Sequence, residues 1–408
     1  MKTKISNFTN LSLLRGTIFI MKENESALYS HYIIDGVRHE MTPAELLDEC
    51  MEYEDSETPS SGMFGTFDDI IDESTDPPVS TFTYDRNRNE EYAVLTAEAS
   101  GIERPFPMLY PEHHTRLHIA EALTSRLWST GHFRLGDLRM WAQWDWNTSP
   151  TGNMASFYSS VYAASDYIYS LGVRMSDYLF IEGDGGNSAR FFAWLPETEL
   201  QEEEESHESS LFKSSPYESR HPWIGDERKC PPKMTGDPDS WLIYIPFDTC
   251  PHKLGGSLLA QVNGHNGGPA PQIMDADYFI DCYEVVRELV EDGIISAGIS
   301  VGNGGLATAA VKFCEGKGAC LELSGILASY QDDDPTKVLF SEIPGVLVQI
   351  RDTDYDYFDS QMILQDIAYY PLGHPSASFK GVRFGEKGKN PVAEILASLL
   401  SQASEGED

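Results

Sequence analysis

The sequence predicts an α+β fold in which helices cover one face of mixed sheets. Strand-like and helix-like segments alternate along the 408 residues without one uniform strand–helix period. Several amphipathic helical segments end at a glycine, and short apolar or alternating runs separate them. Hydrophobic residues make up 41% of the chain, which is enough to build a buried core in two or three domains.

The first predicted unit, residues 1–55, is small and β-rich and carries one helix. The segments GTIFIM and ALYSHYII are strand-like, and Asp35-Gly36 predicts a hairpin turn between strands. Thr42, Pro43 and Glu45 supply an N-cap, a first-turn proline and a capping-box acid for the helix. Residues 56–91 are acidic and contain Pro, Ser and Gly, so we interpret them as a linker.

Residues 92–245 are predicted to form the first large domain. YAVLTAEA, DLRMWAQWDW and the two halves of DYLFIEGDGGNSARFFAWL are strand-like, the last pair being joined by a glycine-rich turn. Two long amphipathic segments between them predict helices that end at Gly131 and Gly172. Residues 198–239 are charged and poor in apolar side chains, which predicts a mobile insertion. The alternative is a docking segment for a basic partner.

Residues 246–385 are predicted to form the second large domain, with a C-terminal helix and tail over 386–408. DADYFIDCYEVVRELVEDG predicts a helix that Asp275 or Asp277 begins and Gly293 ends. GGSLLAQV predicts a short helix after a glycine pair, and a further helix follows Gly304 and Gly305. SWLIYIPF, IISAGISV, ACLELSGI and GVLVQIRD are strand-like.

The composition excludes several classes of partner. A formal net charge of -36 repels nucleic acid and anionic membranes, whereas a basic protein partner remains open. No run approaches the roughly 20 apolar residues of a membrane span. Arg15 interrupts the apolar run LSLLRGTIFIM, and no small-residue cleavage site follows it, so a signal peptide is rejected.

The six cysteines give little support for a zinc site because none forms a CxxC pair. Cys282 and Cys314 lie in apolar helical patterns, which predicts buried free thiols. The cysteine pattern fits a cytoplasmic or otherwise intracellular, reducing setting.

Gly304 and Gly305 raise the question of a phosphate site. A glycine-rich backbone at a helix N-terminus can hold an anion through its N–H groups. The seven residues Ile299–Gly305 contain no Lys, Asp or His, however. A structural tight turn is therefore the competing interpretation.

Four segments in order resemble the C-terminal synthetase half of large-type phosphoribosylformylglycinamidine synthase, in the AIR-synthase (PurM-like) superfamily. They are GIERPFPMLYPEHHTRLHIAEALTS (101–125), LGGSLLAQV (254–262), AGISVGNGGLATAAVKFCEGKGACLEL (297–323) and VLFSEIPGVLVQI (338–350). The resemblance covers roughly residues 92–355. It implies PurM-like N-terminal and C-terminal domains, a site for Mg²⁺ and ATP or ADP, and phosphorylation of a formamide oxygen before amide formation.

The charged positions of the family motifs are mostly replaced. The resemblance implies that Glu121 is kept as a metal ligand and that Tyr110 stands at another acidic ligand position, with a shift to Glu112 as an alternative alignment. The remaining motif positions carry Ser125, Ile299, Ser300, Gly302 and Asn303. Carboxylates are the groups that hold Mg²⁺ on phosphates, so their loss predicts weak nucleotide binding.

The nucleotide or phosphate site implied by the resemblance is therefore vestigial. Its predicted residues are Asp184, Gly185, Gly186, Gly304 and Gly305, with Glu121 as the metal candidate. The turn GDGGNS (183–188) lacks the lysine of the family, and a hairpin turn explains it equally well.

Two aromatic groups are interpreted as structural. His113 and His114 are adjacent on a helix and cannot easily face one metal together, so they are predicted to be surface histidines. Trp141, Trp144 and Trp146 lie at near-alternating positions of a strand and are predicted to be core or interface anchors.

The sequence leads to two hypotheses. The first is a catalytically degenerate relative of the synthase, kept as a structural or interaction protein. The resemblance implies that such a protein forms a homodimer or larger assembly through the strands of residues 92–245. The alternative is an active ATP-dependent amide-forming synthase, or a nucleotide-binding subunit of purine biosynthesis, with Glu121 and Asp184 as the residues to test.

Overall fold

The computed structural model describes residues 26–51, 66–69, 83–101, 108, 110–183, 186–196 and 228–385. Up to residue 196 its elements are α1 (Ser26–Tyr29), β1 (His31–Ile34), β2 (Val37–Arg38), α2 (Pro43–Asp48), β3 (Thr66–Asp69), α3 (Asn89–Ala99), α4 (Pro111–Thr124), β4 (Arg139–Trp146), α5 (Asn153–Ser170), β5 (Arg174–Glu182) and β6 (Ser188–Trp194). From residue 228 they are β7 (Ser240–Pro246), α6 (Leu258–Val262), α7 (Ala276–Glu291), β8 (Ile295–Val301), α8 (Gly305–Phe313), β9 (Gly318–Glu322), α9 (Ser324–Tyr330), α10 (Pro335–Phe340), β10 (Gly345–Arg351), α11 (Tyr355–Leu364), β11 (Tyr370–Gly373), β12 (Pro375–Ser376) and β13 (Gly381–Gly385).

The α+β prediction is confirmed, and the chain forms two compact units. The described residues of Met1–Pro77 and Arg104–Lys229 form unit 1, and those of Pro78–Glu103 and Cys230–Asp408 form unit 2. This grouping differs from the predicted boundaries at 91/92 and 245/246, because α3 packs in unit 2 and β7 belongs to a unit 2 sheet. Among the described residues, no helix is both long and apolar enough to cross a lipid bilayer.

The N-terminal part of unit 1 is a small three-stranded sheet in the order β2-β1-β3. The predicted hairpin at Asp35-Gly36 is confirmed, since Ile34 pairs with Val37 and both turn residues have positive φ, 51° and 76°. The segment ALYSHYII is only partly a strand, because its first half forms α1. Strand β3 lies inside the predicted linker and pairs in parallel with β1. The predicted strand GTIFIM lies outside the described residues.

Helix α2 begins with the predicted capping box. The Thr42 hydroxyl accepts the Glu45 N–H at 3.3 Å, and the Glu45 carboxylate accepts the Thr42 N–H at 2.7 Å. Two of the N–H groups that a helix start leaves unpaired are thereby satisfied.

The main sheet of unit 1 has the order β5-β4-β6. Strand β4 pairs in parallel with β5 and antiparallel with β6, so β5 and β6 lie at opposite edges of the sheet. The hairpin interpretation of GDGGNS was therefore wrong, because β5 and β6 do not pair with each other. Strand β4 lies between them, and each of the two strands forms its hydrogen bonds with β4.

The inner face of this sheet holds the core of unit 1. Side chains of β4 alternate between buried and half-buried, and Trp144 and Trp146 are on the buried side. The indole N–H of Trp144 donates to the Ser160 hydroxyl on α5 at 2.9 Å, and that of Trp146 donates to the Asn153 carbonyl at 2.7 Å. The prediction of tryptophan anchors is confirmed for these two residues, while Trp141 is half-buried on the other face.

The helices of unit 1 begin and end partly as predicted. Helix α5 ends at Ser170, and Gly172 follows with a φ of 68°, which confirms the predicted glycine stop. Helix α4 ends earlier than predicted, at Thr124, and turns occupy the residues before Gly131.

Residues 92–99 are helical, so the strand predicted for YAVLTAEA was wrong. The segment forms most of α3, which packs against α8 in unit 2. The Thr308 hydroxyl donates to that of Thr96 at 2.8 Å, and the Thr336 hydroxyl donates to the Asn89 side chain at 3.0 Å. These buried contacts with distant residues override the local strand preference.

Unit 2 contains a four-stranded antiparallel sheet in the order β11-β7-β10-β8. A smaller sheet has the order β12-β9-β13. Helix α7 begins at the predicted cap Asp275, whose carboxylate accepts the Tyr278 N–H at 3.1 Å, and Gly293 follows the helix end with a φ of 71°. The C-terminal helix predicted over 386–408 lies outside the described residues.

All six cysteines are free thiols. Five of them are buried and Cys320 is half-buried, so the predictions for Cys282 and Cys314 are confirmed. Burial raises the pKa of the Cys314 thiol to about 12, which makes it unreactive at neutral pH.

Candidate functional site

Gly304 and Gly305 form the start of α8 and adopt backbone conformations that favour glycine. Their φ angles are 82° and 68°. A Cβ atom on Gly305 would lie 2.6 Å from the Leu339 carbonyl oxygen, and one on Gly304 would lie 2.3 Å from the Thr308 hydroxyl. Both the turn and the close approach of α10 therefore require glycine, which supports the structural interpretation of the pair.

A carboxylate of the chain already occupies the N-terminus of α8. One oxygen of Glu342 accepts the Gly304 N–H at 2.7 Å and also accepts the Leu258 N–H at the start of α6 at 2.7 Å. The Glu342 residue is only 2% exposed. The Gly305 N–H donates to the Gly302 carbonyl at 2.8 Å. The positive end of the α8 dipole is thus neutralised from within the protein.

The glycines before α6 serve the packing of two loops. The Gly255 N–H donates to Pro269 O at 2.9 Å, and the Gly256 N–H donates to Asn266 O at 2.8 Å. A Cβ atom on Gly255 would lie 2.3 Å from the Ala270 nitrogen. Both N–H groups have backbone partners, so the glycines of this loop serve close backbone contact.

The residues at the replaced ligand positions behave as ordinary structural residues. Ile299 lies on β8, pairs with Leu347 and packs against the core of unit 2. Ser300 is half-buried on the same strand, and Asn303 is exposed in the turn before α8. In unit 1, Tyr110 is the N-cap residue and Ser125 the C-cap residue of α4.

The other predicted site residues are in unit 1. Glu121 is half-buried in α4, and its carbonyl accepts the Ser125 N–H. Gly186 is exposed between β5 and β6. Asp184 and Gly185 lie outside the described residues. The described candidates are therefore divided between two units, with the glycine pair in unit 2 and Glu121 and Gly186 in unit 1.

The surface prediction for His113 and His114 was wrong, because both residues are only 5% exposed. Burial lowers the pKa of His113 well below its ordinary value, and the neighbouring His114, His118 and Arg116 lower it further. The Tyr110 N–H donates to Nδ1 of His114 at 3.4 Å. Residues on most sides of α4 are buried, and several of them are polar. The polar residue types in the sequence therefore did not show which side of the helix is exposed.

Asp69 occupies a second helix N-terminus that the sequence did not reveal. One of its carboxylate oxygens accepts the Gly152 N–H at 2.7 Å, and the other accepts those of Met154 and Ala155 at 3.1 and 3.2 Å. Gly152 precedes α5 with a φ of 86°. More than 80 residues separate the partners, and no local motif marks such a contact.

Sequence comparison relates the chain to one group of enzymes. No protein-family model matches it. It is 25% identical over 320 residues to a probable phosphoribosylformylglycinamidine synthase, chloroplastic/mitochondrial, of Arabidopsis thaliana, covering 78% of this chain and 20% of that protein. The human phosphoribosylformylglycinamidine synthase is 23% identical over 266 residues, covering 65% and 18%. The chain spans about a fifth of the length of these relatives.

Solved structures give a weaker likeness. Thermotoga maritima PurL complexed with FGAR has a TM-score of 0.47 and 12% identity, covering 69% of this chain and 41% of that chain. The hydrogenase maturation protein HypE of E. coli has a TM-score of 0.38 and 12% identity, covering 66% and 75%.

Proposed function

We propose that this chain, a divergent sequence relative of phosphoribosylformylglycinamidine synthase, is a catalytically degenerate form kept as a structural or interaction protein. The single observation that carries the proposal is that Ser300 and Asn303 stand at the two acidic positions before α8, where the buried Glu342 carboxylate meets the Gly304 N–H. In the resemblance to the family, this glycine-rich helix start is part of the phosphate-binding shell. Here its first N–H group is committed to a side chain of the same protein.

Electrostatics makes displacement of Glu342 by phosphate unfavourable. A phosphate at Gly304 would have to remove a buried carboxylate from two N–H donors or sit beside a like charge. The two acidic positions of the adjoining family motif hold Ser300 and Asn303, and its histidine position holds Ile299, so none of the three is a carboxylate. Mg²⁺ depends on carboxylates to stay on substrate phosphates, so a nucleotide would gain little at this position.

The outer face of the β5-β4-β6 sheet supports a homodimer. We define this outer sheet face by Trp141, Gln143 and Asp145 on β4, Leu179 and Ile181 on β5, and Arg190 and Phe192 on β6. The rings of Trp141 and Phe192 are 5.4 Å apart, and Phe192 and Ile181 are 46% and 40% exposed.

The charges on this face suit a second copy of the same chain. Arg190 forms an ion pair with Asp145 on the neighbouring strand. A surface that carries apolar side chains and both signs of charge can be complementary to itself across a two-fold axis. We therefore place the proposed dimer contact on the outer sheet face.

Sedimentation and turnover test the proposal together. The full chain should sediment as a dimer and should release no phosphate from ATP with formylglycinamide ribonucleotide and Mg²⁺. The double change Phe192→Ser and Ile181→Ser should give a monomer, whereas Tyr169→Ser, 70% exposed on α5, should leave the dimer intact. Substrate-dependent ATP turnover by the unaltered chain would overturn the proposal of degeneracy. A monomeric unaltered chain would overturn the dimer.

The alternative of an active synthase rests on Glu121, the retained acid of the family motif. If Glu121 holds a metal ion, Glu121→Ala should abolish Mg-nucleotide affinity. The neighbouring change Ser125→Ala at the end of α4 serves as the matched control. Equal affinity in both variants would remove the support for this alternative.

A further inference from the structure

Helix α11 exposes apolar side chains on the side that faces away from the fold. Phe358 and Met362 are buried beneath it. On the outward side, Tyr357, Ile363 and Leu364 are 47%, 69% and 73% exposed. At about 100° per residue these three side chains fall within an arc of roughly 120°, which also holds the exposed Asp356 and Ser360 and which we call the α11 surface. A helix at a protein surface normally presents mainly polar residues there, whereas three large apolar side chains are exposed on this face, a composition that suits a docked partner.

The surroundings of the α11 surface carry carboxylates. Helix α7 packs against α11, and the Tyr278 hydroxyl of α7 accepts the Ala368 N–H just beyond α11 at 3.0 Å. Exposed acids lie in this region of the chain: Asp356 on α11, Asp352 before it and Asp366 after it, and Asp277 and Asp281 on α7.

Positive charge is missing from the same two segments. Residues 272–286 and 352–379 contain no Lys or Arg. The adjacent Arg351 forms an ion pair with Asp354 at 2.7 Å. The α11 surface thus combines three exposed apolar side chains with negative charge on α11 itself and on the neighbouring segments.

We propose that the α11 surface docks a basic amphipathic helix of another protein. The apolar side of such a helix would cover Tyr357, Ile363 and Leu364, and its Lys or Arg residues would face the bordering carboxylates. A second copy of this chain is disfavoured because it would bring acidic borders together. An anionic lipid surface is disfavoured for the same reason. The inference holds whether or not the chain turns over ATP.

A designed peptide of about 18 residues, with leucines on one helical face and lysines on the other, is a direct probe of this surface. The full chain should bind it in fluorescence anisotropy, more weakly as salt rises because the carboxylates are screened. The double change Ile363→Ser and Leu364→Ser should weaken binding at least about tenfold, which is the loss expected for two apolar anchors. The matched control is Val94→Ser with Leu95→Ser, two residues 50% and 41% exposed on α3.

Three outcomes would overturn the inference. If the α11 double variant binds as tightly as the unaltered chain, the peptide is held by net charge alone. If a leucine–glutamate peptide binds equally well, the carboxylate border has no role. If the chain self-associates and the α11 double variant is monomeric, the occupant is a second copy. Loss of the dimer through Phe192→Ser and Ile181→Ser instead concerns the outer sheet face, so the two proposals fail separately.

Discussion

The starts of α5 and α8 are built alike and differ in what their carboxylates connect. Each is preceded by a glycine with positive φ, Gly152 in unit 1 and Gly304 in unit 2. Each is met by a buried acid from a distant part of the chain. Asp69 uses both oxygens to accept three N–H groups from the start of α5. One oxygen of Glu342 accepts N–H groups at the starts of both α8 and α6 and so joins the two helices.

The two carboxylates therefore have different structural roles: Asp69 caps one helix, whereas Glu342 ties two helices together. Asp69 satisfies the unpaired donors of one helix, as a side-chain cap does over a shorter distance. Glu342 joins two helices at the position where the sequence resembles a phosphate-binding shell. A glycine-rich helix start is therefore insufficient evidence for a bound phosphate, because an acid of the same chain can occupy it.

The largest expected effect is that of Asp69→Ala. Three N–H groups lose a charged acceptor, and at about 1.5 kcal/mol each the free energy of unfolding should fall by about 4.5 kcal/mol. Urea denaturation measures the loss, and hydrogen exchange should accelerate in the first turn of α5. Asp69→Asn, which keeps an acceptor oxygen, is the matched control. A loss below about 1 kcal/mol would mean that water replaces the carboxylate and that Asp69 is not a cap.

Glu342→Ala should lower the free energy of unfolding somewhat less than Asp69→Ala, but it should affect two helices. Two donors lose their acceptor, which corresponds to about 3 kcal/mol. Hydrogen exchange should accelerate at both Gly304 and Leu258, since the shared oxygen is removed. Faster exchange at only one of these amides would contradict the role of Glu342 as a tie between α8 and α6. Glu342→Gln should restore most of the protection.

Gly305→Ala tests whether packing also holds the start of α8. The substitution places Cβ against the Leu339 carbonyl in a left-handed conformation, so a loss of about 2 to 3 kcal/mol is expected. Gly316 has a similar φ of 77° and no atom within 4 Å of its Cβ position. Gly316→Ala should therefore cost only the backbone strain, about 1 to 2 kcal/mol. Equal losses in the two variants would show that α10 yields to the added methyl group.

The most gradual expected effect is a pH dependence in the loop that leads to α6, small at any one pH near neutrality. Burial lowers the pKa of His252 to about 4, and neither ring nitrogen has a hydrogen-bond partner among the described residues. The unfolded chain, with a histidine pKa near 6.5, binds the proton more readily between pH 6.5 and pH 4. Stability should thus fall as the pH is lowered through this window, by up to about 1.4 kcal/mol per pH unit.

Denaturation at several pH values, with His252→Phe beside the unaltered chain, measures this slope. The variant should have a flatter pH dependence between pH 6.5 and pH 4 than the unaltered chain. An identical slope in His252→Phe would assign the acid sensitivity to other groups, among which the buried His113 is the first candidate.

Local chemistry explains which parts of this structure the sequence could predict. The capping box of Thr42 and Glu45, the Asp35-Gly36 turn and the glycine after α5 depend on neighbouring residues, and all three are confirmed. The predicted strand at 92–99 failed because its conformation depends on contacts with residues more than 200 positions away. The sequence showed the glycine pair at the start of α8, but it did not show that the Glu342 carboxylate accepts the Gly304 N–H.

The most direct test of the central claim is a calorimetric titration of the full chain with Mg-ATP and Mg-ADP. Because Glu342 occupies the start of α8 and the neighbouring ligand positions lack carboxylates, we expect no heat beyond dilution for either nucleotide. Binding with a micromolar Kd would contradict this account, since it would require a nucleotide site formed by other residues of the chain.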